Sequence, residues 1–189
     1  RILAALSANG YVVFENPTGH DLNLVGIRSS AKIANRFDDL VTVFYRRGGA
    51  WCYLAFPATT DPGLYWLENP MADLGTAILS TGQHRGAFRI GEHQGRYEAL
   101  VQARALPVWR DANRDQAIDP GGDLDVGWHG INIHHAADRG ESVQVDKWSA
   151  GCQVIASWWD YQVLMAEARA GRQRFGNSFT YTLIEEADL

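Results

Sequence analysis

Residues 40–58 read LVTVFYRR-GG-AWCYLAFPA. Two short runs rich in β-branched and aromatic side chains flank Gly48-Gly49. Such runs, bounded by glycine or proline, read as strands. The Gly-Gly pair reads as a hairpin turn, because a two-residue turn asks for positive φ and glycine has no Cβ to oppose it. Working outward, GYVVFEN (10–16) has the same character upstream. Downstream, GTAILSTG, RGAFRIGEH, RYEALVQ and LPVWRD continue the series with turns every eight to twelve residues. Regular short strands at that spacing predict a mainly β fold, a sandwich or barrel.

The period changes after Ile155. Ser157 with Asp160 three positions on has capping-box form. Trp158, Tyr161, Met165 and Ala168 then fall roughly on one helical face, which predicts core packing by a C-terminal helix that stops at Gly171 or Gly176. FTYTLIEE (179–186) returns to strand alternation and is expected to close the sheet. No repeat, low-complexity tract or linker interrupts the chain, so residues 1–189 are expected to form a single domain.

The formal net charge of −5 argues against a nucleic-acid partner. The sequence contains no apolar run near 18 residues, so no membrane span is expected. The chain opens at Arg1, as a trimmed or mature form would, which is compatible with a lost export signal. Two cysteines are too few for a disulfide scaffold, and Cys52 and Cys152 are expected to be free thiols.

Cys152 closes the stretch WHGINIHHAADRGESVQVDKWSAGC (128–152). Thiolate is the nucleophilic form, and a nearby imidazole or backbone N–H groups aimed at sulfur lower a thiol's pKa. Gly151 allows a sharp turn before Cys152, and the N–H groups of that turn could form an oxyanion hole. If GINIH is a strand, Ile131 and Ile133 face inward, while Asn132 and His134 share the opposite, groove-facing side. His135 then points the other way and fits a structural or surface role by itself. His129 is a weaker candidate base. Zinc accepts the ligand types of His129, His134, His135 and Cys152, but no Cys-x-x-Cys or His-Glu-x-x-His spacing supports it. Walker A, dinucleotide-binding and Gly-x-Ser-x-Gly patterns are absent.

Asp111, Asn113, Asp115 and Asp119 occupy positions 1, 3, 5 and 9 of a calcium-type loop. Gln116 stands at the usual glycine position and Gly122 at the usual glutamate position. The two expectations are a structural calcium ion or a polar turn held by Asx hydrogen bonds. No other cofactor is expected to be required.

The histidine at a strand end, the loop and the Ser-x-Gly-Cys turn together resemble the signature of the L,D-transpeptidase (YkuD-like) catalytic domain. Gly86, Phe88 and Ile90 in AILSTGQHRGAFRIG resemble that family's earlier Gly-x-Phe/Tyr-x-Ile strand. The resemblance covers roughly residues 74–156 and leaves residues 1–70 unassigned. It implies an L,D-transpeptidase-like fold in which Cys152 is the nucleophile and His134 the base and later the acid. It further implies that Ser149 braces the turn, and that Gly151 with Cys152 supplies donors to the oxyanion.

The implied activity is acyl transfer or hydrolysis on peptidoglycan stem peptides through a cysteine thioester. The implied setting is the cell envelope, the periplasm, a secreted protein, or a phage protein delivered to the wall. Ala150 replaces a common histidine, and Gln153-Val154 replaces an apolar residue followed by Arg or Asn. The second departure shifts weight towards a carboxypeptidase or lytic peptidase. It also asks Arg139, Lys147 or Arg85 to supply the positive charge for a donor carboxylate. His135, Trp148 and Arg139 are therefore carried as substrate-binding candidates. The rival expectation is a non-catalytic cell-wall-binding or phage structural module that keeps the fold. A calcium-stabilised β-sandwich module is a third.

Overall fold

A computed structural model describes residues 1–31 and 34–189. The Gly48-Gly49 turn joins β2 (Asp39–Arg47) to β3 (Ala50–Thr59). Both glycines lie at positive φ, 56° and 88°, and Arg47 pairs directly with Ala50. This is the left-handed pair of residues that a tight hairpin needs.

The hairpin supplies two staves of a closed eight-stranded barrel. In order around the barrel come β1 (Asn23–Arg28), β11 (Phe179–Glu185), β5 (Gly82–His93), β6 (Tyr97–Gln102), β9 (Ile133–His135), β10 (Gln153–Ile155), β3 and β2. Two contacts are parallel, β1 with β11 and β9 with β10. The final strand therefore closes the barrel by pairing with the first. A separate three-stranded sheet is formed by β4 (Thr76–Leu79), β7 (Leu106–Asp111) and β8 (Asp125–Gly127). Two short helices, α1 (Ile2–Ala8) and α2 (Leu64–Glu68), flank these sheets in sequence.

The C-terminal helix α3 runs Trp158–Phe175. The Ser157 hydroxyl accepts from the Asp160 N–H at 3.4 Å and caps its first turn. Of the two expected stops, Gly176 (φ 90°) ends the helix, and Gly171 lies inside it. Tyr161, Leu164, Met165 and Ala168 are buried in the core cluster with Phe88, Leu100, Ile133 and Tyr181. Burying each such large apolar side chain stabilises by about 1.5–3 kcal/mol. Trp158 is only partly buried, and Leu164 is fully buried beside the expected face.

The expected strand at 10–16 does not form. Its backbone is held by side-chain amides instead of a neighbouring strand. Gln83 accepts from Val12 N and donates to Val12 O, at 3.0 and 2.9 Å. Asn23 does the same for Phe14, at 2.8 and 2.9 Å. Residues 1–70 are not a separate layer. They supply β1, β2 and β3, three of the eight barrel strands.

Candidate active site

Parallel pairing of β9 with β10 brings the histidine and cysteine motifs together. Ile133, His134 and His135 pair with Gln153, Val154 and Ile155. One step earlier, Gln153 N donates to Asn132 O at 2.9 Å, so Cys152 lies beside Asn132. Ile131 and Ile133 enter the core as expected, and His134 takes the other side. His134 and Cys152 both line a cleft of about 600 Å³, with Ala77 of β4 and Arg110 of β7 also on its walls.

The cysteine turn is braced from within. Ser149 is fully buried. Its hydroxyl donates to Cys152 O at 2.8 Å and accepts from Gly151 N at 3.2 Å. Gly151 has φ 118°, and a Cβ there would collide with the backbone carbonyl of Ala77. Only glycine satisfies both the left-handed backbone and the close approach. Gly63 N donates to Ser149 O at 2.8 Å and ties the turn to the segment ahead of α2. The Gly151 N–H, expected to serve an oxyanion, is thus occupied by Ser149. Among the described residues, the Cys152 N–H has no such partner.

Cys52 and Cys152 are both free. Asn132 N donates to Cys152 Sγ at 3.4 Å, which favours the thiolate. Burial of the sulfur outweighs it and pushes the thiol up to about 11, so the resting group is neutral. Among the described residues, no imidazole nitrogen hydrogen-bonds Sγ. The lowering expected from a neighbouring imidazole is therefore absent at rest.

His134 is buried, and burial together with the nearby His93 drives its pKa down to about 3. It is a neutral ring with a defined tautomer. Nδ1 lies 2.8 Å from His135 O, an acceptor only, so Nδ1 carries the hydrogen and Nε2 the lone pair. The Tyr97 hydroxyl lies 3.4 Å from the same Nδ1. This arrangement leaves the Nε2 lone pair without a protein partner among the described residues.

Other candidates separate clearly. His129 sits on the cleft wall with both nitrogens engaged. Arg110 Nη2 donates to its Nδ1 at 3.0 Å, and its Nε2 lies 3.1 Å from Leu106 O and from Asp125 O. It has no free lone pair with which to act as a base. His135 packs between Tyr97 and Tyr161, with ring centroids at 4.3 and 4.8 Å, and its Nδ1 donates to Ala137 O at 3.0 Å. It is not among the residues that line the cleft. Arg139 is exposed on the loop after β9 and does not line the cleft. Arg85 lies at a different cavity, beside Arg104. Trp148 does line the cleft, as does Lys147, whose ammonium stands 4.1 Å over the Tyr65 ring. Gln153, which replaces the family's apolar residue, points into the barrel, where it accepts from the Tyr181 hydroxyl at 2.8 Å, and Val154, at the Arg or Asn position, is buried in β10.

The residues most clearly missed from sequence are His93 at the end of β5 and Arg110 on β7. His93 stacks on His134 with centroids 4.2 Å apart. Arg110 pairs with Asp125 at 2.9 Å. The only sequence signal for His93 was a histidine ending a strand run just before the turn residues Gln94-Gly95.

The carboxylates of the calcium-type loop are engaged locally. Asp119 N donates to Asp111 at 3.1 Å, Asp115 N to Asn113 at 3.0 Å, Ala117 N to Asp115 at 2.8 Å, and Asn113 Nδ2 to Asp119 at 2.7 Å. These are the Asx-type bonds of a polar turn. Among the described residues, no three His, Cys, Asp or Glu side chains converge where a metal ion could be held. Among the same residues, no helix is long and apolar enough to cross a membrane.

No protein-family model, curated protein or solved structure matches this chain.

Proposed function

We propose that the cleft carries out cysteine-dependent acyl transfer or hydrolysis on peptidoglycan stem peptides, in the manner of an L,D-transpeptidase or L,D-carboxypeptidase. One observation carries this reading. A braced Ser-x-Gly-Cys turn and a histidine with Nδ1–H tied to a backbone carbonyl open on one cleft. The substrate class rests on the motif resemblance. Because both groups are neutral at rest, the thiol proton passes to His134 Nε2 as Sγ attacks the acyl carbon. The same proton then goes to the leaving amine as the C–N bond breaks, leaving a thioester on Cys152. Water or an acceptor amine resolves it. Lys147 supports recognition of an anionic substrate group, since it brings an ammonium to the cleft wall. Trp148 supplies a half-exposed ring on the same wall. Such an enzyme would work at the cell envelope, as a periplasmic, secreted or phage-delivered protein.

Purified muropeptides test the reading by mass. Loss of the terminal D-amino acid or formation of a cross-link, abolished in Cys152→Ala, is the expected result. Full turnover by Cys152→Ala overturns it. The neutral, imidazole-free resting thiol favours a second reading, a non-catalytic wall-binding or phage structural module. Retained peptidoglycan binding with no product would select that one.

A further inference from the structure

The cleft holds a second histidine whose hydrogen-bond state can be read atom by atom. The chain of bonds begins at a donor of fixed identity. Gln102 N–H donates to Asn132 Oδ1 at 2.9 Å. That fixes which end of the Asn132 amide is oxygen, so its Nδ2 is the donor towards His93 Nδ1, 2.9 Å away. His93 Nδ1 must accept, and the ring's one hydrogen therefore sits on Nε2. His134 has the opposite tautomer, with hydrogen on Nδ1 and a lone pair on Nε2. The two rings stack at 4.2 Å with an interplanar angle of 23° and line the same cleft as Cys152. Among the described residues, neither Nε2 has a protein partner, and neither is shut away from solvent as a buried unsatisfied atom. Burial and the neighbouring positive charges lower the His93 pKa, which keeps the ring neutral beside its partner.

We infer that His93 is a catalytic residue of this site, donating its Nε2–H to the oxyanion that forms when Cys152 attacks a carbonyl. This inference rests on the acyl-transfer reading above. It also adds a donor to that site, where the Gly151 N–H is occupied by Ser149. In the step, the Sγ–C bond forms, the thiol proton moves to His134 Nε2, and the carbonyl π pair becomes an oxyanion lone pair. That oxygen accepts from His93 Nε2–H and Cys152 N–H. On collapse the lone pair restores the C=O bond, the leaving group departs, and His134 returns the proton where the leaving group needs one. His93 keeps its own proton throughout. A neutral imidazole is suited to this role because it polarises an oxygen without surrendering the hydrogen. Asn132 is a positioning residue, acting only through the His93 tautomer.

The test uses the whole protein with 4-nitrophenyl acetate as acylating probe and iodoacetamide as a probe of the thiol. Acylation builds an oxyanion and alkylation does not. Wild type is expected to release one burst of nitrophenolate per Cys152, absent in Cys152→Ala. His93→Phe, which keeps a ring over His134 but has no N–H, is expected to acylate about 10²-fold more slowly. Its alkylation rate should change by less than about threefold, below the scale of a lost oxyanion donor. Asn132→Asp presents only acceptors to His93 Nδ1. It should reverse the His93 tautomer in ¹⁵N NMR spectra and slow acylation to the same extent. No Cys152-dependent burst in wild type removes the acyl-transfer reading and this inference with it. A wild-type burst that His93→Phe leaves unchanged overturns the inference alone. So does equal loss of acylation and alkylation, which would place His93 behind the base rather than at the oxyanion. An Asn132→Asp protein with reversed tautomer and undiminished acylation also overturns it.

Discussion

The barrel interior around Arg28 and the cleft around Cys152 are both polar and both buried, yet they are built differently. Arg28 is almost fully enclosed. Its Nε donates to the Thr60 hydroxyl at 3.2 Å and pairs with Asp61 at 2.9 Å, and its Nη2 donates to Thr60 O and Leu79 O at 3.1 Å. Asp39 accepts from Ser29 N, Thr60 N and the Thr60 hydroxyl at 2.7, 2.6 and 2.8 Å. Only Nη1 of the guanidinium lacks a hydrogen bond, and it lies 3.7 Å from Glu185. In the cleft, His134 Nε2 and His93 Nε2 have no protein partner among the described residues, while the Cys152 thiol accepts from Asn132 N at 3.4 Å and donates to Gly130 O at 3.6 Å. Buried polar groups that are matched hold a fold together, and buried polar groups left open at a cleft are available for chemistry.

The largest way to break this contrast is at Arg28. Arg28→Met removes the cation and leaves Asp61, the Thr60 hydroxyl and two carbonyls without their partner. Deleting one member of a buried ionic network costs about 3–5 kcal/mol. Urea unfolding followed by tryptophan fluorescence should show a loss of that size. A loss below about 1 kcal/mol would mean the carboxylates simply take up protons, towards which burial already pushes Asp39, at about 6, and Asp61.

Gly151→Ala tests the brace on the open side. The new Cβ meets the Ala77 carbonyl and sits at φ 118°, so the turn must shift. Strain of this kind costs about 1–3 kcal/mol. It should also displace Cys152 and suppress its acylation far more than the stability loss alone would. Wild-type acylation in this variant would show that the turn tolerates movement and that the brace is not what positions the sulfur.

A titration sharpens the comparison further. The folded pKa of His134, about 3, lies below its ordinary value of 6.5. Between those values the unfolded chain binds a proton that the folded ring refuses. Its neutral burial therefore stabilises the fold above pH 6.5 and loses that stabilisation as pH falls towards 3. The slope reaches about 1.4 kcal/mol per pH unit. Asp39 works in the opposite sense between 3.8 and 6, because its raised pKa makes the fold less stable as pH rises through that window. The difference between wild type and His134→Gln cancels the Asp39 contribution. It should shrink steadily from pH 6.5 downward, as read by urea midpoints. A pH-independent difference would mean the ring is solvated when folded.

What could be read in advance follows from how local each feature is. The 40–58 hairpin was legible because its turn and strands are adjacent in sequence. β1 was not, since NLVGIR is buried at every position and shows no alternation. GYVVFEN has strand composition but found amide side chains rather than a strand. In the cleft, Cys152, His134 and Ser149 were legible because one loop joins them. His93 arrives from the far end of β5 and Arg110 from the small sheet, so only the tertiary fold brings them in. Arg139 and Arg85 carry only a charge as their signal, and charge does not say which wall a side chain faces.

The smallest effect is expected at Asp115 in the 111–119 loop, where polar satisfaction comes without burial. Asp115 is exposed, and its carboxylate accepts the Ala117 N–H within an Asx turn. Asparagine can accept the same bond, and alanine cannot. Asp115→Asn should therefore leave the melting temperature unchanged. Asp115→Ala should cost about 0.5–1.5 kcal/mol, the value of one such hydrogen bond. Both results should be the same with millimolar calcium and with a chelator, because one oxygen of each of Asp111, Asp115 and Asp119 already accepts a hydrogen bond within the loop. A calcium-dependent rise in wild type that Asp115→Asn abolishes would mean the loop reorganises around an ion. The unlike treatment of charge in cleft and loop would then give way to a second site whose polar groups are also held ready for a ligand.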